Sequence, residues 1–401
     1  MSSPWLLAAV WLGLALLATL VAIWLRISTA LSEIVVGTVA QLVIGAAVGT
    51  EALGAKAPWV TFLSGTGAIV LTFLAGAELD PAVFRAKLKP AMALGLAGFF
   101  APFLGCAAFA HYALHWSSQS AWLAGVALST TSVAVVYAVM LELGLNVTDY
   151  GKMLLAACFV NDIGTVVALG LIFAPFTYRT AVFAGVCVVL FAGMPWVTPR
   201  FFKRYGGRPS ELEAKYLLLL LFGFGALASW ADSEPVLPAY FIGMILAGTV
   251  GKDHVLVRRL RTLTFGLLTP FYFIRAGSFV SIPAVIAAPL VCIALLAVKV
   301  ATKSFVLAPT SRALGFPRKE TAYTTMMMST GLTFGTISAL FGLTHGIIDD
   351  AKYSYIVTAV IGSAVIPTVI GNAFFLPRHL LPASARDGQP QPQPREASAH
   401  G

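Results

Sequence analysis

Long apolar segments recur along the whole chain, and they restrict its possible folds more than any other feature. A helix needs about 20 apolar residues to cross a bilayer, and segments of about that length follow one another from residue 5 to residue 376. Only 11% of the residues are charged, against about 25% in a typical soluble domain. The sequence lacks the short alternating segments of a membrane β-barrel. The pattern therefore predicts an all-α polytopic membrane protein.

We predict 13 transmembrane helices from these segments. The first is long and has no basic residues before it, which argues against a cleaved signal peptide. We therefore expect it to be retained, with the N-terminus outside the cell. The predicted spans are residues 5–25, 31–49, 59–79, 88–113, 120–143, 151–174, 179–198, 214–231, 235–250, 262–280, 283–308, 321–344 and 352–376.

The distribution of basic residues agrees with this topology. With the N-terminus outside, 20 of the 26 Lys and Arg residues fall in cytoplasmic segments, 3 in outside loops and 3 inside spans. This is the bias of the positive-inside rule, and it indicates a cytoplasmic C-terminus. For a bacterial host, we expect the protein to lie in the inner membrane. The formal net charge of +9 then reflects topology, and we expect no nucleic-acid partner.

Short similarities separated by about 200 residues indicate an internal repeat. The stretch LAGAELDPAVF (74–84) resembles RAGSFVSIPAVI (275–286), and STTS (129–132) resembles STGLT (329–333). The 13 spans then divide into two repeats of six helices joined by one linker helix. Because corresponding helices of the two repeats are seven spans apart, an odd number, the second repeat is inverted in the membrane. Recurrent Gly and Ala packing in membrane helices is the alternative explanation.

An amide and an acid interrupt the apolar sixth span, in FVNDIG (159–164), which contains Asn161 and Asp162. A charge at the bilayer centre costs about 2.5–3.5 kcal/mol on insertion scales, so it is retained for a task or paired. Burial favours the neutral form of a carboxyl group, and a proton or a bound cation supplies that neutrality. A structural salt bridge from Asp162 to Lys303 or Arg275 is the alternative.

Four consecutive hydroxyl residues, 129–132, lie in the middle of the fifth span. On a continuous helix some of them would face lipid, so an interrupted helix explains them better, although packing by small hydroxyl residues is an alternative. We predict a second break in the matching segment, 329–331. If the two broken helices cross, the ends of their half-helices meet at mid-membrane. Fixed charges such as Asp162 and Lys303 would then offset the partial charges of the helix dipoles at those ends. The predicted helix-break residues are Thr130, Ser329, Thr330 and Gly331.

Other ionisable residues also lie inside or at the ends of spans. Lys299 and Lys303 are one helical turn apart, and their depth alone does not decide which of them compensates a buried charge. Arg275 lies inside the tenth span and Glu78 ends the third. An ordinary ion pair is an equally good interpretation for each of these last two residues.

Four motifs in order resemble the monovalent cation/proton antiporter superfamily, in its bacterial sodium–proton and Kef-like branch without a nucleotide-binding tail. TFLAGAELD (72–80) is similar to a signature of the third helix, LSTTSVAVVYAVMLELGL (128–145) to the interrupted helix, and FVNDIG (159–164) to the ion-binding pair. KSFVLAPTSRALGFPRKE (303–320) resembles the family's lysine helix, and this alignment selects Lys303 over Lys299. The resemblance covers roughly residues 10–376.

The resemblance implies a membrane transport domain over residues 1–382. Scaffold helices at about 5–79 and 214–280 would dimerise, core helices at about 88–174 and 283–376 would carry the ion, and a linker helix would occupy about 179–198. Residues 383–401 are expected to form a disordered cytoplasmic tail. The implied cation and proton ligands are Asp162, Asn161, Thr131, Ser132 and Glu78, with Lys303 and Arg275 as charge-compensating residues.

The expected function is exchange of a monovalent cation (Na⁺ or Li⁺, or K⁺ at a looser site) for H⁺ at Asp162. Asn161 stands where electrogenic family members have a second acid, which favours electroneutral exchange. We expect no cofactor and no enzyme activity, because neither a nucleophile triad nor a His/Cys cluster for a heavier metal is evident in the sequence. A sodium-coupled organic-anion symporter is the main alternative, and a cation channel is a weaker one.

Overall fold

The computed structural model describes residues 4–381, apart from 26, 50, 78–86, 174–176, 208–209, 232, 234 and 252. All the regular structure in these residues is helical. The prediction of an all-α protein is thereby confirmed. Glu78 and the predicted tail, 383–401, lie outside the described residues.

The helices follow the apolar segments of the sequence closely. Several helices start at a Ser, Thr or Asp side chain that accepts a backbone N–H, as N-cap residues do. The helices are α1 Pro4–Leu25, α2 Thr29–Val48, α3 Pro58–Ala77, α4 Leu88–Tyr112, α5 Ser118–Ser129, α6 Val133–Glu142, α7 Asp149–Phe173, α8 Tyr178–Tyr205, α9 Leu212–Trp230, α10 Val236–Leu246, α11 His254–Leu263, α12 Thr269–Ser278, α13 Ile282–Ala287, α14 Pro289–Ala313, α15 Arg318–Met328, α16 Thr333–Thr344 and α17 Asp350–Ile370.

Eleven helices in the described residues are long and apolar enough to cross a membrane, when each interrupted helix is counted once. The ninth predicted span is shorter than expected, because α10 ends at Leu246 and turns follow it. The tenth begins earlier, since a polar α11 precedes it and continues through a π-helical turn, 264–268, into α12. The protein is a multi-pass membrane protein, and the count of 13 spans stays a prediction.

The eleventh predicted span is divided into α13 and α14. Ala288 adopts φ −137° and ψ 56°, outside the helical region, and Pro289 starts the next helix. Proline has no N–H to donate and clashes with a preceding helical turn, so it is tolerated in the first turn of a helix but not in its interior. The sequence analysis overlooked this boundary.

Two helices are interrupted at the places that the sequence predicts. The chain leaves helical geometry between α5 and α6, and again between α15 and α16. The elements around the two breaks recur about 200 residues apart, which supports the predicted repeat. The matching pairs are α4 with α14, α5 with α15, α6 with α16 and α7 with α17.

The helices pack in two groups. In the first group α2 packs on α12 and α3 packs on α10, while in the second α4 packs on α5, α7 and α14. Glycines let the backbones of the first group approach closely, as small residues do between membrane helices. A side chain at Gly277 would collide with the backbone of Ile34, and one at Gly37 with the backbone of Ile274.

We expect Gly277→Ala to destabilise the protein, because the added methyl group must push α2 away from α12. Overpacking of this kind typically costs about 1–3 kcal/mol. Gly266→Ala, in the π-helical turn that leads into α12, is the matched control, since a methyl group there meets nothing within 4 Å. A thermal melt of the purified protein should show a lower midpoint for Gly277→Ala alone. Equal midpoints for both variants would contradict the close α2–α12 packing.

Candidate cation site at the helix crossing

The two chain breaks cross in the interior of the second helix group. We call residues 130–132 and 329–332 together the crossing. The N–H of Ser132 donates to the carbonyl of Thr330 across it, at 3.0 Å. Gly331 and Gly335 let the two segments approach, since a methyl group at Gly335 would lie 2.9 Å from the carbonyl oxygen of Ala127.

The hydroxyl groups of the predicted break residues satisfy the ends of their own half-helices. Thr130 donates to Ala127 at 3.2 Å, and Thr330 donates to Met327 at 2.8 Å. The hydroxyls of Ser129 and Ser329 likewise donate to backbone carbonyls of the preceding helical turn. Such local bonds compete with continued helix, which gives a physical reason for the breaks at these positions.

Lys303 reaches the crossing from α14 and is fully buried. Its Nζ donates to the carbonyl of Thr130 at 3.0 Å and to the carbonyl of Met328 at 2.6 Å. These carbonyls belong to the C-terminal ends of α5 and α15, where the helix dipoles concentrate negative partial charge. A third bond, to Oγ1 of Thr131, is 2.7 Å long. Lys303 is thus a cationic cap shared by two half-helices.

Asn161 faces the crossing from α7, and the adjacent Asp162 interacts electrostatically with Lys303. The Oδ1 of Asn161 accepts the N–H of Thr131 at 2.8 Å, so the amide braces the break. Asp162 is 2% exposed, and its Oδ1 has no hydrogen-bond partner among the described residues. The Nδ2 of Asn161 is also buried without one. A buried polar atom without a partner requires an explanation, and a proton or a cation on the carboxylate provides one.

The two hydroxyl ligands expected from the sequence differ in availability. The hydroxyl of Thr131 donates to the carbonyl of Met328 at 2.7 Å and accepts from Lys303. Its oxygen is therefore already engaged in two hydrogen bonds. Among the described residues, the Oγ of Ser132 accepts only a long bond, 3.4 Å, from the N–H of Val135. Ser132 therefore has the freer oxygen for a cation held by Asp162.

The comparisons with known proteins fit this geometry. The model of the sodium/hydrogen exchanger transmembrane family matches residues 12–375. The chain belongs to the sodium/hydrogen exchanger family.

Individual relatives of this family member are distant in sequence. The Na(+)/H(+)-K(+) antiporter GerN of Bacillus cereus is 23% identical, over 81% of this chain and 86% of its own length. The cation/H(+) antiporter 17 of Arabidopsis thaliana is 29% identical over 60% of this chain, which spans only 33% of the plant protein. The structure of the sodium proton antiporter MjNhaP1 from Methanocaldococcus jannaschii has a TM-score of 0.69, with 15% identity over 92% of this chain and 96% of that one. This last similarity shows a shared fold.

Arg275, singled out from the sequence, is not brought to the crossing by any described contact. The Nε of Arg275 donates to the carbonyl of Ala55 at 2.8 Å, and its guanidinium lies over the ring of Phe279, 5.1 Å from the centroid. These contacts give no support to a charge-compensating role for Arg275 at Asp162. Glu78 lies outside the described residues.

Sequence reasoning did not identify Tyr240 or Ser363, which are both fully buried near the crossing. Tyr240, on α10, donates to the carbonyl of Phe159 at 3.3 Å, so it links the first helix group to the turn of α7 before Asp162. Ser363, on α17, accepts a bond from Lys299. Neither position has a sequence signal, because a single Tyr or Ser in an apolar helix is common packing.

We expect Lys303→Met to destabilise the protein more than Lys299→Met. Loss of Lys303 leaves the carbonyls of Thr130 and Met328 without their cationic donor, and each buried unpaired group typically costs about 1–3 kcal/mol. Lys299 is equally buried, but among the described residues it donates only to one hydroxyl, that of Ser363. Thermal unfolding of the two variants beside wild type measures the difference. Equal losses would show that Lys303 does not cap the half-helices.

Proposed function

We propose that this chain is a secondary antiporter that exchanges a monovalent cation for H⁺ at Asp162. The observation that carries the proposal is the buried Oδ1 of Asp162, which has no hydrogen-bond partner among the described residues although Asp162 interacts electrostatically with Lys303. An isolated charge in a low-dielectric site is strongly disfavoured. The carboxylate therefore holds either a proton or a cation, and the two ligands compete for one position.

Lys303 gives the site a fixed positive charge in this proposal. Its three acceptors include two helix C-termini, which together offset about one positive charge, so its proton is held throughout the cycle. Asp162 then contributes the same net charge whether it carries H⁺ or Na⁺. Exchange through Asp162 alone moves one ion for one proton and is electroneutral.

Asp162, Ser132 and Thr131 would supply oxygen ligands, which suit a hard monovalent cation. Asn161 would hold the break in position through its Oδ1. Its Nδ2, which has no partner among the described residues, is a hydrogen-bond donor and would not be a ligand of the cation. We propose Na⁺ or Li⁺ as the first candidates, with K⁺ as a further one. The Bacillus cereus relative is a Na(+)/H(+)-K(+) antiporter by name, which includes both Na⁺ and K⁺.

The proposed movement is alternating access of the second helix group against the first. Helices α4–α7 and α13–α17 would form the moving core, α1–α3 and α9–α12 the scaffold, and α8 the linker. We further propose a homodimer formed through the scaffold, in a bacterial inner membrane with the N-terminus outside and the C-terminus in the cytoplasm. The dense packing between α2 and α12 and between α3 and α10 supports a rigid scaffold.

A sodium-coupled organic-anion symporter is the alternative function. It would require an anion-binding group at the crossing. Lys303 is already bonded to three acceptors there, and the amine of Lys299, beside Gly331, donates to the hydroxyl of Ser363. No described contact favours this alternative. It predicts that transport depends on an added organic solute.

The experiment is cation-driven collapse of a respiration-generated ΔpH in everted vesicles, with Na⁺, Li⁺ and K⁺ added in turn. We expect wild type to dissipate the gradient with at least one of these ions and Asp162→Asn to be inactive, because the amide cannot exchange a proton for a cation. Asp149→Asn is the matched control on the same helix. Asp149 pairs with Lys87 at 2.8 Å on the exposed surface, so its loss should leave exchange intact.

Two results would contradict the proposal. Full activity in Asp162→Asn would remove the carboxylate from the mechanism. A wild type that responds to none of the three ions, but takes up an organic anion with Na⁺, would favour the symporter. Detergent-solubilised samples of each variant should elute as a single peak, which shows that an inactive variant is folded.

A further inference from the structure

A tyrosine of the scaffold contacts both elements of the core that border the candidate cation site. Tyr240, on α10, is fully buried, and its hydroxyl donates to the carbonyl of Phe159 on α7 at 3.3 Å. Its ring lies edge-on to the ring of Phe334, near the start of α16, with the two centroids 5.7 Å apart. Asp162, about one turn further along α7, interacts electrostatically with Tyr240. This one side chain therefore touches α7 and α16 beside the carboxylate.

The backbone of Tyr240 is held closely against α3. A side chain at Gly76 would collide with the carbonyl oxygen of Tyr240, and one at Gly243 would collide with the carbonyl oxygen of Phe73. Small residues allow this close approach of two membrane helices. Tyr240 is therefore a fixed part of the scaffold, and a movement of α7 along the scaffold separates its hydroxyl from the carbonyl of Phe159.

The chain itself does not keep Tyr240 beside α7. Helix α10 lies between α9 and α11, which both belong to the proposed scaffold. Alternating access, as proposed above, carries α7 and α16 past this helix. A hydrogen bond that exists in one position of the core and is broken in the other shifts the equilibrium toward the first position.

A second tyrosine bonds across the same two helix groups at a place where less movement is expected. Tyr353, on α17, is also fully buried, and its hydroxyl donates to the carbonyl of Ala276 on α12 at 2.6 Å. The chain passes from α12 to α13 through residues 279–281, and the N–H of Ser281 donates to the Oγ of Ser354 at 2.8 Å. The Tyr353 bond therefore lies beside a covalent connection between scaffold and core.

We propose that the hydroxyl of Tyr240 is a docking contact, which stabilises one of the two positions of the core and thereby sets the ratio of the cation affinities on the two sides of the membrane. This inference rests on the proposed function, and it names a residue that biases the two states. Without the hydroxyl, the position seen here is less populated and the other position is more populated. An apparent Kd is the intrinsic Kd divided by the fraction of protein in the binding-competent state. The apparent affinity therefore weakens on one side of the membrane and strengthens on the other.

Tyr240→Phe tests the inference, because it removes the hydroxyl and keeps the ring beside Phe334. The apparent KM for the most active cation is measured at one pH in everted vesicles, for the cytoplasmic side, and in right-side-out vesicles, for the outer side. The ratio of these two KM values follows the ratio of the two populations. We expect this ratio to change by about two- to tenfold, the factor that corresponds to one ordinary hydrogen bond. The two KM values should shift in opposite directions.

Tyr353→Phe is the matched control, since it removes an equally buried hydroxyl between the same two helix groups. We expect it to lower the midpoint of thermal unfolding and to leave the ratio of KM values unchanged. The same result for Tyr240→Phe would overturn the inference, because a purely structural role produces it. An equal change of the ratio in both variants would also overturn it. A Tyr240→Phe protein that is folded but exchanges no ions would do so as well, since the hydroxyl would then belong to the ion site itself.

A cross-link tests the movement at the same interface without a change at Tyr240. A methyl group at Gly170 on α7 would lie 3.0 Å from Cδ2 of Leu237 on α10. In the double variant Gly170→Cys and Leu237→Cys, oxidation should join the two helices by a disulfide. We expect the cross-link to stop exchange and a reducing agent to restore it. Undiminished exchange by the fully cross-linked protein would show that α7 does not move past α10, and the inference would be wrong.

The two proposals fail in different ways. If Asp162→Asn retains exchange, the proposed function is wrong, whatever the ratio of KM values. If wild type exchanges ions and Asp162→Asn does not, but Tyr240→Phe has the wild-type ratio, only the inference about Tyr240 is wrong.

Discussion

The ammonium group of Lys303 holds together the two chain breaks at the centre of the structure. Its bonds to the carbonyls of Thr130 and Met328 satisfy the ends of α5 and α15, which would otherwise present unpaired acceptors in a dry interior. Unsatisfied backbone groups inside a membrane cost several kcal/mol each. The interruption of two helices is therefore tolerated because a buried cation caps both of them.

This capping also determines what the carboxylate can do. With Lys303 offset by two helix ends, Asp162 is not bound in a salt bridge in the described structure, and one of its oxygens is left without a partner. A free, buried carboxylate beside a fixed charge can accept either H⁺ or a metal cation, which is the chemical requirement of exchange at a single site.

The sequence predicts much of the fold because the bilayer imposes simple rules. Apolar length and the positive-inside rule locate most of the helices, and the hydroxyl runs at 129–132 and 329–330 indicate both breaks. Sequence reasoning failed where tertiary contacts decide the outcome. The break at Pro289 looks like part of one apolar span, and α11 extends the tenth helix through polar sequence that hydropathy excludes.

The candidate site was only partly accessible from the sequence for the same reason. Asp162, Asn161 and the hydroxyl residues stand out because polar groups are rare in apolar helices. The motif resemblance selects Lys303 over Lys299, but the physical reason, that the amine of Lys303 reaches two helix ends and that of Lys299 a hydroxyl, is visible only in the structure. Ser363 becomes relevant only because α17 places it against Lys299.

The central claim is that one buried carboxylate holds either a proton or a cation. Proton release by the purified protein in weakly buffered detergent, followed with a pH dye while Na⁺ or Li⁺ is added, tests it most directly. The account predicts that wild type releases at least about one proton per bound cation near its working pH, and that Asp162→Asn releases none. Saturable cation binding by wild type without proton release would contradict it.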